Sequence, residues 1–279
     1  MKKIAFTNAS LKNIAYLTML IDHFFAVTFL EVIRRQSAAG RDTDLLRDIY
    51  SAGRAVGRIS FVLFAYLAVE GFLYTRSRKA YLQRLGIFAL VSEVPFDLAF
   101  SEEIVDLGSQ NVFFTLFLGV LVLTVWEWAV RNVRMLYHRQ RESRDLSWLF
   151  CVIIFRVVQF GVVVLCCVVA YVLRTDYKYM GVLLIFTFYL LHDQGILPKI
   201  ALSGCVMLLG IWSINWFRYA DQYSMSYLFR FSMRELYGLA AFGPIMLYDG
   251  SKGRQWPKAV CYGFYPVHLL LLHWITVIM

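Results

Sequence analysis

The chain has 279 residues, of which 59% are hydrophobic and 17% charged; soluble domains carry roughly 25% charged residues, so too little polar surface remains to clothe a soluble globule. The net charge of +9 sits between apolar runs, which points to membrane topology and anionic lipid head groups; no nucleic-acid motif accompanies it, and no nucleic-acid partner is expected. Cys151, Cys166, Cys167, Cys205 and Cys261 are odd in number and lie inside apolar runs without metal-ligand spacing, which argues against a disulfide framework and for buried free thiols.

A spanning helix needs about 20 mostly apolar residues. Met1–Ser10 is basic, but the apolar run behind it carries Asp22–His23 and ends without a small-residue cleavage site, so no cleavable leader is expected. Nine candidate spans follow in order: Asn13–Ile33, Ile59–Tyr74, Tyr81–Phe100, Val112–Val130, Leu146–Leu173, Tyr179–Leu191, Ile196–Phe217, Leu228–Tyr248 and Ala259–Met279. The second and sixth are short, and the eighth opens on Arg230, Arg234 and Glu235. The expected fold class is all-α: a polytopic integral membrane bundle of about nine helices, forming one domain over 1–279. Cation distribution favours a cytoplasmic N-terminus, with sixteen Lys and Arg on the inner side and eleven on the outer. The contrast is sharpest between Ser101–Gln110, with three acids and no cation, and Arg131–Arg144, with five arginines. Arg34–Arg58 breaks the rule, because it falls outside yet holds six arginines; a re-entrant or interfacial segment is one reading of it, and a site is another.

Ionisable residues inside spans are costly and usually face a protein interior or a watery cavity. Asp22 and His23 are adjacent, so they point about 100° apart and each needs its own partner. Lys12 precedes His23 by eleven residues, about three turns and roughly 16 Å, on one helix face. A cation at the mouth and an imidazole deeper in would line a path for an anionic group; interfacial snorkelling is the alternative for Lys12. Glu70 lies in the second span. Glu93 and Asp97 are four apart in the third, with Pro95 between them to bend the helix, and they either share a proton or clamp arginines such as Arg58 or Arg84. Arg156 and Gln159 form a candidate packing pair. His268 and His273 face different sides of the last span, so no two-histidine metal site is expected there, and no metal motif occurs elsewhere.

The stretches "LKNIAYLTMLIDHFF", "GRAVGRISFVLFAYLAVEGFLYTRSRKAYLQRLGIFALVSEVPFDLAF", "QNVFFTLFLG", "DYKYMGVLLIFTFYLL" and "FYPVHLLLL" resemble the TraX family, from about Leu11 to Leu272. TraX of conjugative plasmids is known as the enzyme that acetylates the N-terminus of pilin, and the family is thought similar to a wider set of transmembrane acyltransferases. In the acyltransferase-3 family an arginine precedes the catalytic histidine by eleven residues. Lys12 and His23 keep that spacing with Lys in place of Arg, which retains a point charge but loses bidentate phosphate contact. Val62 stands where the family pattern has a proline.

The resemblance implies a multi-pass protein of the bacterial inner membrane that carries an acyl group from acetyl-CoA, or another acyl-CoA co-substrate, to an amine or hydroxyl acceptor such as a pilin-like peptide or envelope glycan. His23 would be the general base or acyl relay, with Asp22, Glu70, Glu93 and Asp97 setting its tautomer and charge. Lys12, Arg76, Lys79 and Arg84 would meet the coenzyme. Arg54, Arg58, Asn111, Asp176 and His268 would hold the acceptor. Two other functions fit the same charges: a small-solute or proton-coupled transporter, against which no internal repeat is visible, and a structural component of a conjugation or secretion assembly.

Overall fold

The computed structural model describes residues 5–140 and 147–279. Lys2, Lys3, Arg141 and Arg144 of the topology argument lie outside them, as does the side chain of Arg139. Among the described residues the regular secondary structure is helical, without a strand. The chain runs through α1 (Asn8–Phe24), a π-helical turn (Phe25–Phe29), α2 (Leu30–Ala38), α3 (Asp44–Tyr74), α4 (Arg78–Val91), α5 (Glu93–Phe100), α6 (Val112–Gln140) and α7 (Ser147–Val172). It continues through α8 (Lys178–Leu190), α9 (Ile196–Tyr219), α10 (Met225–Ser232), a 3-10 segment (Met233–Ala241), α11 (Phe242–Met246) and α12 (Lys258–Ile278).

Local chemistry sets the starts. Thr7 Oγ1 accepts from Ser10 N at α1, Ser77 Oγ from Ala80 N at α4, and Ser224 Oγ from Tyr227 N at α10. Asn111 Oδ1 accepts from Phe113 N at the head of α6. Pro257 immediately precedes α12, where a missing N–H costs nothing. Among the described residues six helices are long and apolar enough to cross a membrane: Asn8–Ala38, Asp44–Tyr74, Val112–His138, Trp148–Val172, Ile196–Tyr219 and Lys258–Ile278. Where further spans were expected, the helices are shorter or broken: α4 is followed by α5, α8 has 13 residues, and α10 leads through the 3-10 segment to α11.

The two ends of the bundle are fixed by backbone pairing. At one end Phe6 N donates to Leu247 O at 2.8 Å and Asp249 N to Phe6 O at 3.0 Å. At the other, Gln110 N donates to Arg174 O at 3.1 Å and Asp176 N to Gln110 O at 2.8 Å. The central element is α3, which packs against α1, α6, α8 and the 3-10 segment and buries Val62, Leu63 and Phe72 completely. Val62, the departure from the family's proline, therefore sits mid-helix, where a proline would remove a helical hydrogen bond.

Two expectations need correction. The second span does not begin at Ile59: α3 starts at Asp44 and α2 runs to Ala38, so all of the arginine-rich segment except residues 39–43 is helix. Its arginines are engaged: Arg34 and Arg35 with Glu31, Arg41 with Gln36, Arg47 with Thr43, Arg54 with Asp22 and Arg58 with Glu235. The bend in the third span falls at Ser92, not at Pro95. Pro95 is the third residue of α5 and has no N–H for Val91 O, so the ladder breaks one turn before the ring.

Candidate functional site

The π-helical turn follows directly on Asp22–His23. Such turns are rare and occur mostly as single bulges inside α-helices, frequently at functional sites. Here Arg54 Nη1 lies 2.7 Å from Asp22 Oδ2 and donates at 3.2 Å to Asp22 O, a carbonyl that also accepts from Phe25 N. The approach of α1 to α3 depends on Gly53 and Gly57, because a Cβ at Gly53 would overlap the Phe25 ring and one at Gly57 the Asp22 carboxylate.

His23 points the other way, toward α12. Its Nδ1 lies 2.6 Å from His268 Nε2, and the two rings are coplanar to within 1°. His268 Nδ1 lies 2.7 Å from Phe264 O. A carbonyl can only accept, so His268 Nδ1 carries a proton. With one proton on each ring, His268 Nε2 then accepts, and His23 Nδ1 donates to it. The chain of donors leaves the lone pair on His23 Nε2. Phe100 and Tyr265 close on His23 edge-on at 5.6 and 5.7 Å, and 8% of the residue is exposed. Phe100 itself is 41% exposed, at the C-terminal end of α5.

Beyond Asp22 toward the second end lies a compact charged group. Arg58 Nε is 3.4 Å from Glu235 Oε1. The turn Thr175–Lys178 holds Asp176 near Asp22, Arg54, Arg58 and Glu235. Tyr177 stacks on Phe61 at 3.7 Å and, with Lys178, adopts a left-handed backbone conformation (φ +61° and +45°). Two successive non-glycine residues in that region are strained, a state that persists only where the surroundings impose it. Burial, and then the Asp22 carboxylate, push the Asp176 carboxyl up to about 6 against the pull of Arg58 and Arg54. Asp22 Oδ1, Glu235 Oε2 and the Tyr265 hydroxyl are buried here without a hydrogen-bond partner among the described residues.

The structure therefore brings His23 and His268 into direct contact and gathers Asp22, Arg54, Arg58 and Asp176 beside them. It separates the others. Glu70 lies about 20 Å along α3 from Gly57 and bonds Tyr248 OH at 3.0 Å and His192 Nε2 at 3.3 Å. Glu93 and Asn111 form their own pair, in which Asn111 Nδ2 donates to Glu93 and to Ala89 O, tying α5 to the head of α6. Asp97 accepts from Asp106 N at 2.9 Å. Neither Glu93 nor Asp97 clamps an arginine among the described residues: Arg58 is taken by Glu235, and Arg84 Nε is buried without a partner. Lys12 donates to Gln255 Oε1 at 2.7 Å at the first end, where Arg76 and Lys79 are exposed.

An open path on the Lys12–His23 face is not present. Tyr16 and Met19 occupy that face between them, and Tyr16 packs on Phe64 and Phe264 at 5.7 and 5.0 Å. Apolar side chains fill a seam that spacing alone suggested for water. Sequence reasoning overlooked Glu235 and Tyr177 as members of the charged group. A charge at the start of an apolar run was the signal for Glu235; nothing local marked Tyr177.

Comparison with known proteins adds a relative and a family. The chain is 30% identical over 131 residues to a probable fimbrial assembly protein FimC, serogroup H1, of Dichelobacter nodosus; the match takes in 44% of this chain and 48% of that protein. The chain thus spans about half the length of that curated relative. No solved structure matches. The family described as TraX protein matches residues 7–276, nearly the whole of this helical membrane bundle, and the chain belongs to it.

Proposed function

We propose that this protein is a membrane-embedded acyltransferase of a pilus or conjugation system, placed in the inner membrane of a bacterium, that moves an acyl group from acetyl-CoA or a related thioester to an amine or hydroxyl. The observation that carries this reading is the ordered pair His23–His268, whose tautomers are fixed by Phe264 O. A general base needs a free lone pair held in one orientation, and a second group that orients it through its other nitrogen supplies that. Membership of the TraX family and similarity to a fimbrial assembly protein support the pilus context.

In the proposed step, His23 Nε2 takes the proton of the acceptor N–H or O–H as its nitrogen or oxygen attacks the thioester carbonyl. The tetrahedral adduct collapses, the carbon–sulfur bond breaks, and the thiolate recovers the proton from His23. Lys12, Arg76, Lys79 and Arg84, at the first end, meet the phosphates of the donor. Arg54, Arg58 and Asp176 hold the acceptor from the other end. Met19 and Tyr16 close the donor's route at rest, and Phe100 covers the edge of His23, so turnover requires both to yield.

The test is acyl transfer in proteoliposomes with labelled acetyl-CoA. His23→Gln is expected to abolish transfer, and undiminished transfer removes the proposal. Acetyl-CoA is further expected to raise the melting temperature of the purified protein with rising concentration. No shift at saturating ligand counts against the donor assignment.

A further inference from the structure

Outside the site, one helix is unlike the rest. α7 has the highest mean hydropathy of the membrane-crossing helices, 2.7, yet only 11% of its apolar window is buried. It packs on α6 and α8 along one side only. The opposite side presents an open groove of about 730 Å³ along Ile153, Val157, Phe160, Val164 and Val168. Lipid chains alone would satisfy such a face, except that Arg156 stands in the groove and is exposed.

Arg156 lies nine residues from the start of α7, about 13 Å along the axis, within a hydrocarbon layer of about 30 Å. A cation at that depth needs a partner. Among the described residues no carboxylate pairs with it: Glu127 of α6, one residue from the Trp126 whose carbonyl accepts from Gln159, is taken by Arg78 and Tyr189. Snorkelling to a head group would turn the side chain back toward the helix start. Instead Arg156 Nη1 donates to Gln159 Oε1 at 2.9 Å, toward the helix end and deeper into the layer. Gln159 is fully buried between α6 and α7, so the guanidinium is held at that level by the protein itself. One turn on, Gly161 has nothing within 4 Å of where a Cβ would stand, which leaves room for a close backbone.

We infer that this face of α7 docks a membrane-spanning helix of another protein, one bearing a single carboxylate at the depth of Arg156. A second copy of this chain does not fit, since a symmetric contact through the groove sets Arg156 against Arg156. A lipid phosphate does not fit either, because it stays at the interface while the guanidinium is held below it.

The experiment uses the full-length protein in phosphatidylcholine nanodiscs, with a photo-crosslinking amino acid at Phe160. The probe is a synthetic Leu/Ala transmembrane peptide carrying one Glu, placed at a series of depths, with the Gln peptide as control. The Glu peptide matched to Arg156 is expected to give about tenfold more adduct than its Gln counterpart or than Glu peptides out of register. Arg156→Gln is expected to erase that difference, and Arg156→Glu to transfer it to the matching Lys peptide, with melting curves confirming that both variants fold. Equal adducts from Glu and Gln peptides would overturn the inference. So would a dominant adduct between two copies of the protein, or loss of the Glu preference when phosphatidylglycerol is added, which would assign the groove to self-association or to lipid phosphate.

Discussion

Replacing His268 by Phe keeps a ring of similar size against Phe264 and Tyr265 but removes the acceptor that lies 2.6 Å from His23 Nδ1. His23 is 8% exposed, so its Nδ1–H then has no solvent to turn to. A buried donor left unpaired costs about 1–3 kcal/mol. The ring can escape that cost by moving its proton to Nε2, and the lone pair that the proposed base needs is then lost. The free energy that holds the reactive tautomer is thus of the same size, and its loss corresponds to a fall in kcat of about 10- to 100-fold. His268→Gln, whose side-chain oxygen can accept, is expected to restore part of the rate. Two readouts are needed. Acyl transfer in proteoliposomes measures the rate, and nitrogen-15 NMR of histidine-labelled protein reads which nitrogen of His23 bears the proton. Nδ1–H is expected in the native protein and Nε2–H in His268→Phe. A native His23 protonated at Nε2, or a His268→Phe variant with native tautomer and native rate, would refute the reasoning.

Other consequences follow from the same geometry. Gly57→Ala forces a methyl group onto the Asp22 carboxylate, and a thermal melt is expected to show a loss of about 1–3 kcal/mol, as for overpacked cores. Arg54→Ala strips Asp22 of its 2.7 Å partner; removing one member of this partly buried pair is expected to cost about 1–3 kcal/mol, and Arg54→Lys to recover part of it in the same melt. Asp176, raised from 3.8 to about 6, favours its protonated form in the fold. Its contribution to stability is full below pH 3.8 and is lost as the pH rises through 6; denaturant titrations of Asp176→Asn are expected to lack that decline. Phe100→Ala uncovers the edge of His23, and mass spectrometry is expected to find His23 acylated by diethylpyrocarbonate about tenfold faster, the change expected when local opening becomes cheaper by ~1.4 kcal/mol.

The apolar runs determined that the chain is a helical membrane protein and placed most of its helices within a few residues, because hydrophobic length is a property of consecutive residues. They also marked Asp22, His23 and His268 as charges that needed an account, while Arg54 and Arg58 stood out as an exception to the charge rule and Asp176 came only with the family resemblance. What they did not contain was pairing. Asp22 meets Arg54 from 32 positions away and His23 meets His268 from 245, so which charge answers which was settled by how α1, α3 and α12 pack. The spacing of Glu93 and Asp97 suggested a shared role, and packing sent them to Asn111 and to the Asp106 backbone instead. The face between Lys12 and His23 could have held water as far as spacing went; Tyr16 and Met19 made it solid, because neighbouring helices brought Phe64 and Phe264 within reach. Helical period tells which residues share a face, and only the tertiary structure decides what that face meets.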